Sequence, residues 1–136
     1  MKQYDEQCAL ILDKLVFNKI SFERKDWKTE GEPKFSLKIN TSTVNDESIY
    51  RVTVILFVNK ENEYDIEINL SGYFLVNKNI DCNNINIMDL INQNAVAILI
   101  PYIRSELSLI TAQPEMECLV MPPINVGALL KNHNDE

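Results

Sequence analysis

His133 is the only histidine among 136 residues. It is therefore the only imidazole that could take a proton from a serine or cysteine nucleophile near neutral pH. It stands in the polar run Asn132-His133-Asn134-Asp135-Glu136, a stretch expected to fray, so no catalytic triad can be built around it. Cys8, Cys82 and Cys118 are far apart, odd in number and without a C-x-x-C spacing. That pattern suits neither a zinc site nor a disulfide framework; idle thiols in a reducing compartment are expected. The three glycines are not clustered, so no phosphate-cradling loop is expected. The carboxylate pairs Asp46/Glu47 and Asp135/Glu136 fall in a turn and a tail and read as solvated surface. The expectation is a protein that is no enzyme, with no catalytic residue, no metal and no cofactor.

The net charge of −7 disfavours a nucleic-acid backbone as partner. No run approaches the roughly 20 apolar residues that span a bilayer, and Met1-Lys2-Gln3-Tyr4-Asp5-Glu6 lacks the pattern of a secretory leader. A single cytoplasmic domain over residues 1–136 is expected, long enough to bury a sizeable core without staples.

The elements follow from the spacing of apolar residues. Asp5 to Leu15, with Cys8, Leu12 and Leu15 on one side, reads as a helix and makes residues 1–15 an N-terminal helical extension. Val16 to Glu23 alternates as a strand, with Val16, Ile20 and Phe22 opposite Lys19, Ser21 and Glu23; Phe17 interrupts the alternation. Arg24 to Pro33 is a charged loop containing Trp27, whose indole is expected to lie as a lid over the core edge, with partner contact the alternative. Lys34 to Thr41 and Ser48 to Lys60 are strands. The second carries apolar residues on both sides, the mark of a central strand. Glu61-Asn62-Glu63 turns the chain into an antiparallel strand, Tyr64 to Val76. Gly72 there implies a bulge or a close approach.

After a polar connection, Asn77 to Ile87, comes the longest signal. Val96, Ile100, Ile103, Leu107 and Ile110 step by four, three, four and three, which stripes one side of a helix. Asn94 is placed to cap it and Pro114 to end it. Pro101 lies within the stripe and predicts one kinked helix. Pro122-Pro123 then holds the chain extended before Ile124 to Leu130, an apolar run that reads as a short second helix. The fold class expected is α+β: a four-stranded antiparallel sheet packed on a long kinked C-terminal helix and a short second helix. The apolar surface exceeds what one such core consumes. It must serve subunit contact or binding.

Two segments carry a family resemblance. Asn94-Ala95-Val96-Ala97-Ile98-Leu99-Ile100-Pro101-Tyr102-Ile103-Arg104 and Leu119-Val120-Met121-Pro122-Pro123-Ile124-Asn125-Val126-Gly127-Ala128-Leu129 resemble the C-terminal half of the SecB protein-export chaperones, in the right order. Weaker similarity runs through Ile20-Ser21-Phe22-Glu23 and Glu67-Ile68-Asn69-Leu70-Ser71-Gly72-Tyr73-Phe74. The resemblance implies the same sheet-and-helix fold and a homotetramer, a dimer of dimers. It implies an ATP-independent holdase for unfolded polypeptides or preproteins, without insertion in the membrane. The client groove it implies falls on Trp27, Tyr73, Leu75, Met121, Ile124, Val126, Leu129 and Leu130; the helix stripe Val96, Ile100, Ile103, Leu107 and Ile110 goes to core and subunit packing. Matching the family places Glu23 and Glu67 at positions that dock the SecA motor, and places Lys19 where the family has an acid. A reversed charge weakens capture of a basic tail. The alternatives are an adaptor dedicated to an antitoxin or other single partner, and a non-chaperone oligomeric binding protein on the same fold.

Overall fold

Strict two-residue alternation over three consecutive stretches leaves the chain little choice but a sheet, and the computed structural model contains one. It describes residues 10–44, 49–76 and 87–123. Four strands, β1 (Leu10–Arg24), β2 (Lys34–Val44), β3 (Ile49–Lys60) and β4 (Tyr64–Val76), precede one helix, α1 (Ile87–Thr111). The sheet is antiparallel in every pairing, in the order β1-β4-β3-β2. The central strands are thus the two with the strongest apolar alternation, since only they have neighbours on both sides.

One sheet face meets α1. Val52, Val54 and Leu56 of β3, and Ile68, Leu70 and Phe74 of β4, are fully buried beneath Val96, Leu99, Ile103 and Leu107 of the helix. On β3, the residues between these, Arg51, Thr53, Ile55 and Phe57, face away from the helix with Glu67, Asn69, Ser71 and Tyr73 beside them. At Gly72 the sheet passes close beneath the helix: a Cβ built there would stand 2.8 Å from Cδ2 of Leu99 and 2.7 Å from the Phe74 ring. The close approach expected at Gly72 is present, because only a residue without a side chain fits beneath Leu99.

The fold class needs one correction. Among the described residues there is one helix, not two. The segment expected to form the short second helix, Ile124 to Leu130, lies outside the described residues. A second correction concerns the N-terminal helix. Leu10 to Leu15 are strand, the first part of β1, paired from Leu10↔Val76 to Leu15↔Gly72; residues 1–9 lie outside the described residues. Ladder hydrogen bonds to β4 override a helical spacing that rested on few apolar positions.

Phe17, which spoiled the alternation, is explained by β1 itself. The register shifts between Leu12 and Lys14 and again between Phe17 and Lys19. The second shift puts one extra residue, Asn18, in the strand and turns Phe17 toward the core opposite Leu70. Val16 faces outward and is exposed.

The helix begins at Ile87, ahead of the capping position expected at Asn94, and runs through Pro101 without interruption. Pro101 and Ala97 one turn earlier are both exposed, so water can satisfy the carbonyl that proline leaves without a donor. The C-terminal end is closed by side chains: Gln113 Nε2 donates to the Ile110 carbonyl at 2.7 Å, and the Thr111 hydroxyl donates to the Leu107 carbonyl at 2.8 Å. That hydroxyl also accepts the Leu119 N–H at 2.8 Å. Ser108 donates to the Leu119 carbonyl at 3.0 Å. These bonds fold the segment after Pro114 back along the last turns of α1 and bury Met121 in the core.

Candidate functional site

The loop between β1 and β2 is organised around one carboxylate. Glu63 closes the β3–β4 turn, whose Asn62 has a left-handed φ of 66°, a conformation asparagine tolerates well. The Glu63 carbonyl accepts the Lys25 N–H at 2.7 Å and the Asp26 N–H at 3.2 Å. Its side chain is nearly inaccessible and accepts the Thr29 N–H at 2.8 Å, the Thr29 hydroxyl at 3.2 Å and Lys60 Nζ at 3.0 Å. Burial pushes the Glu63 carboxyl up, but the Thr29 N–H, Lys60 and the Thr29 hydroxyl together outweigh it and hold it below its usual 4.5. Beside it the Tyr64 hydroxyl is pushed up to about 12, by burial first and then by the charges of Glu63 and Glu117.

These anchors hold Trp27 at the apex of the loop. Its N–H donates to the Asp26 carboxylate at 2.7 Å, and its carbonyl accepts from Arg24 at 3.0 Å. The indole is 63% exposed. It therefore does not form the lid over the core edge that the sequence suggested. It lines a trough of about 450 Å³ together with Lys28, the Lys60–Glu63 pair, Glu115, Met116 and Glu117. An exposed indole and a thioether within a rim of mixed charge, Lys28 with Glu115 and Glu117, make a surface for an apolar side chain with polar neighbours.

The remaining expected site residues are placed as follows. Tyr73 and Leu75 are half-buried on the sheet face away from the helix, not beside Trp27. Met121 is 2% exposed. Ile124, Val126, Leu129 and Leu130 lie outside the described residues. Val96, Ile103 and Leu107 are fully buried against the sheet, Ile100 nearly so, and Ile110 is half-buried. Met116, Glu115 and Glu117 are parts of the trough that sequence reasoning missed. The signal for them was the polar break after Pro114, which placed no apolar residue in a periodic element.

Apolar surface is left open elsewhere on the protomer. Tyr102 and Leu109 are exposed on the back of α1, Val120 is 71% exposed, and Ile20 at the margin of the helix-facing side is also exposed. On the other sheet face, Lys19 Nζ lies 3.1 Å from the Glu67 carboxylate; Lys25 pairs with Asp65 at 2.8 Å. The Lys25 hydrogen bond, then that from Asn59, holds the Asp65 carboxyl below its usual value. No described helix is long and apolar enough to cross a membrane. Among the described residues no group of histidine, cysteine and carboxylate side chains could hold a metal ion.

Comparison with known proteins gives a consistent picture. The family model described as preprotein translocase subunit SecB matches residues 3–136. A Methanocaldococcus jannaschii relative, described as uncharacterized protein MJ0357, is 24% identical over 137 residues, spanning 93% of this chain and 85% of its own. Among solved structures, the fold is similar to that of the Mycobacterium tuberculosis Rv1957 SecB-like chaperone in complex with a ChAD peptide from the Rv1956 HigA1 antitoxin. The TM-score is 0.65 at 11% identity, over 85% of this chain and 90% of that one. It is also similar to a Streptococcus agalactiae protein of unknown function, with a TM-score of 0.53 at 11% identity, over 85% of this chain and 98% of that one.

Proposed function

Because this chain belongs to the SecB family, we propose that it is an ATP-independent chaperone that holds unfolded polypeptides on apolar surface left open by the folded protomer. The observation that carries the reading is Trp27, a large apolar side chain 63% exposed yet held by hydrogen bonds on both sides of its own peptide unit. These bonds fix the backbone from which the indole projects, so covering it costs only the freedom of its own two torsions, and aromatic anchors of this kind dominate many binding surfaces. The net charge of −7 favours clients with basic residues near their apolar segments and keeps a loaded complex soluble. The open faces at Ile20, Tyr102 and Leu109 are assigned to contacts between subunits of a homotetramer in the cytoplasm. Tyr73, Leu75 and the segment from Ile124 to Leu130 extend the client surface in this proposal.

The experiment is suppression of aggregation of a chemically unfolded client, without nucleotide. Trp27 is the only tryptophan, so its emission reports binding directly: it should move to shorter wavelength as client is added. Trp27→Ala is expected to weaken client binding about tenfold or more, measured by anisotropy of a labelled unfolded client. Full protection by Trp27→Ala, or an emission maximum indifferent to client, would exclude this site.

A second reading, an adaptor dedicated to one partner such as an antitoxin, is favoured over preprotein export by one observation. Glu67, one of two carboxylates proposed to dock the SecA motor, is engaged by Lys19, leaving Glu23 to act without it. A pull-down that returns one stoichiometric partner supports the adaptor. A broad spectrum of precursors supports export.

A further inference from the structure

The sheet face turned away from α1 carries a charge opposite in sign to that of the chain. Cross-strand pairing sets Ser42, Arg51, Tyr73 and Lys14 in one row across β2, β3, β4 and β1, and Lys14 Nζ lies 5.5 Å from the centre of the Tyr73 ring. Two residues along, Asn40, Thr53 and Ser71 form the next row, and Lys38, Ile55, Asn69 and Lys19 the one after. Cations therefore bound this area on two sides. The Glu67 carboxylate on this face is already paired with Lys19. Arg51 is exposed, and no ion pair or hydrogen bond engages its side chain among the described residues.

Between the cationic rows lies a trough of about 410 Å³, lined by Arg51, by Ile55 and by amide and hydroxyl groups that include Asn18, Asn40, Ser42 and Tyr73. Its floor is fixed. The extra residue of β1, Asn18, donates to Asn69 Oδ1 at 2.9 Å and to the Ser71 hydroxyl at 2.8 Å, and Ser71 and Thr53 share a hydrogen bond of 2.7 Å. The second register shift in β1 thus turns an amide into the trough and orders the hydroxyls beneath it.

We propose that this face docks an acidic polypeptide segment, seated on Arg51 with its carboxylates reaching Lys14 and Lys38. Charge complementarity selects the sign: in a chain of net charge −7, a face carrying Arg51, Lys14 and Lys38, with Glu67 neutralised by Lys19, attracts anions and repels basic partners. The open shape selects a polypeptide. A small molecule needs a cavity that covers most of its surface, whereas a chain crossing four strands spaced about 4.8 Å apart spreads its contacts over roughly six residues. The amide and hydroxyl lining supplies partners for the backbone of such a chain. This proposal does not rest on the chaperone reading, whose anchor is Trp27 in the β1–β2 loop; of the residues lining this trough, only Tyr73 is shared with the client surface of that reading.

The test uses the full chain and a labelled peptide of alternating glutamate and serine long enough to cross the sheet, with the glutamine version as control. Fluorescence anisotropy should show binding of the glutamate peptide only, fading as added salt shortens the screening length. Arg51→Glu should weaken it about tenfold or more, and Lys38→Glu, on the edge strand, should weaken it in the same direction. Amide NMR shifts in the wild type should concentrate at Asn18, Ser71 and Tyr73. Thermal melts confirm folding of both variants; should Arg51→Glu fail to fold, Lys38→Glu carries the measurement. Equal binding of the glutamine peptide, retention of affinity in the folded variants, shifts centred on another face, or equally effective competition by free glutamate would each overturn the proposal. Loss of acidic-peptide binding with aggregation suppression unchanged supports it and leaves the chaperone reading standing; the converse result separates the two in the other direction.

Discussion

Gly72→Ala is expected to destabilise the protein by about 1–3 kcal/mol, the range for forcing extra carbon into a filled core. The new Cβ would stand 2.7 Å from the Phe74 ring and 2.8 Å from Leu99 Cδ2. Both side chains are fully buried, so neither can swing into solvent to make room. Gly72→Val should cost more, because its two further methyl groups point into the same contact. Chemical denaturation measures the loss. The mechanism makes a sharper prediction in combination. Leu99→Ala alone should cost about 2–5 kcal/mol through the cavity it leaves, but it also removes the atom that the alanine methyl would strike. The double variant should therefore be less destabilised than the sum of the two, with a coupling of about 1 kcal/mol or more. Strict additivity would mean that Phe74, not the helix, sets the space at Gly72.

Glu63→Ala is expected to cost about 3 kcal/mol, the scale for breaking a buried ion pair by removing one member. It strands Lys60, whose side chain is only 15% exposed, and removes the acceptor for the Thr29 N–H. Glu63→Gln keeps the shape but removes the charge, and gives the pH test. The folded carboxyl titrates below its usual 4.5. Its contribution to stability is therefore fully present above that value and is lost as pH falls through the lower, folded value. Denaturation series taken downward from neutral pH should show a loss of stability on acidification that is smaller in Glu63→Gln. Because the same carboxylate anchors the loop carrying Trp27, both variants should also loosen the indole, read as a fall in its fluorescence anisotropy.

How far these features could be read in advance depended on whether local spacing or a distant partner fixed them. β2, β3 and β4 were legible because alternation over many residues is incompatible with a helix. The core stripe of α1 was legible for the matching reason. Leu10 to Leu15 were not. The few apolar positions there satisfy either period, and strands far along the chain decide between them. Phe17 did give notice of the irregularity in β1, since an apolar residue on a polar side is what an inserted residue produces. Of the candidate site, Trp27 was conspicuous as an indole in a charged loop, but its exposure depends on bonds to Glu63 that sequence cannot reveal. Met116 and Glu117 are brought to the same trough by the return of the chain along α1, a tertiary event. The cationic face was hidden for another reason. Arg51, Lys14 and Lys38 are scattered through three strands and become neighbours only in register.

The strand order has a consequence for how the protein is made. β1 borders β4 alone, so Leu10 must wait for Val76 to be synthesised before its ladder can close. Translation is slow compared with collapse of a short chain. On the ribosome β1 therefore spends an interval as an unpaired apolar segment while β2 and β3, only four residues apart in the chain, can already zip together. A newborn copy passes through the very condition in which polypeptides need shelter, and Lys14 and Lys19 along that unfinished margin discourage two such copies from joining edge to edge.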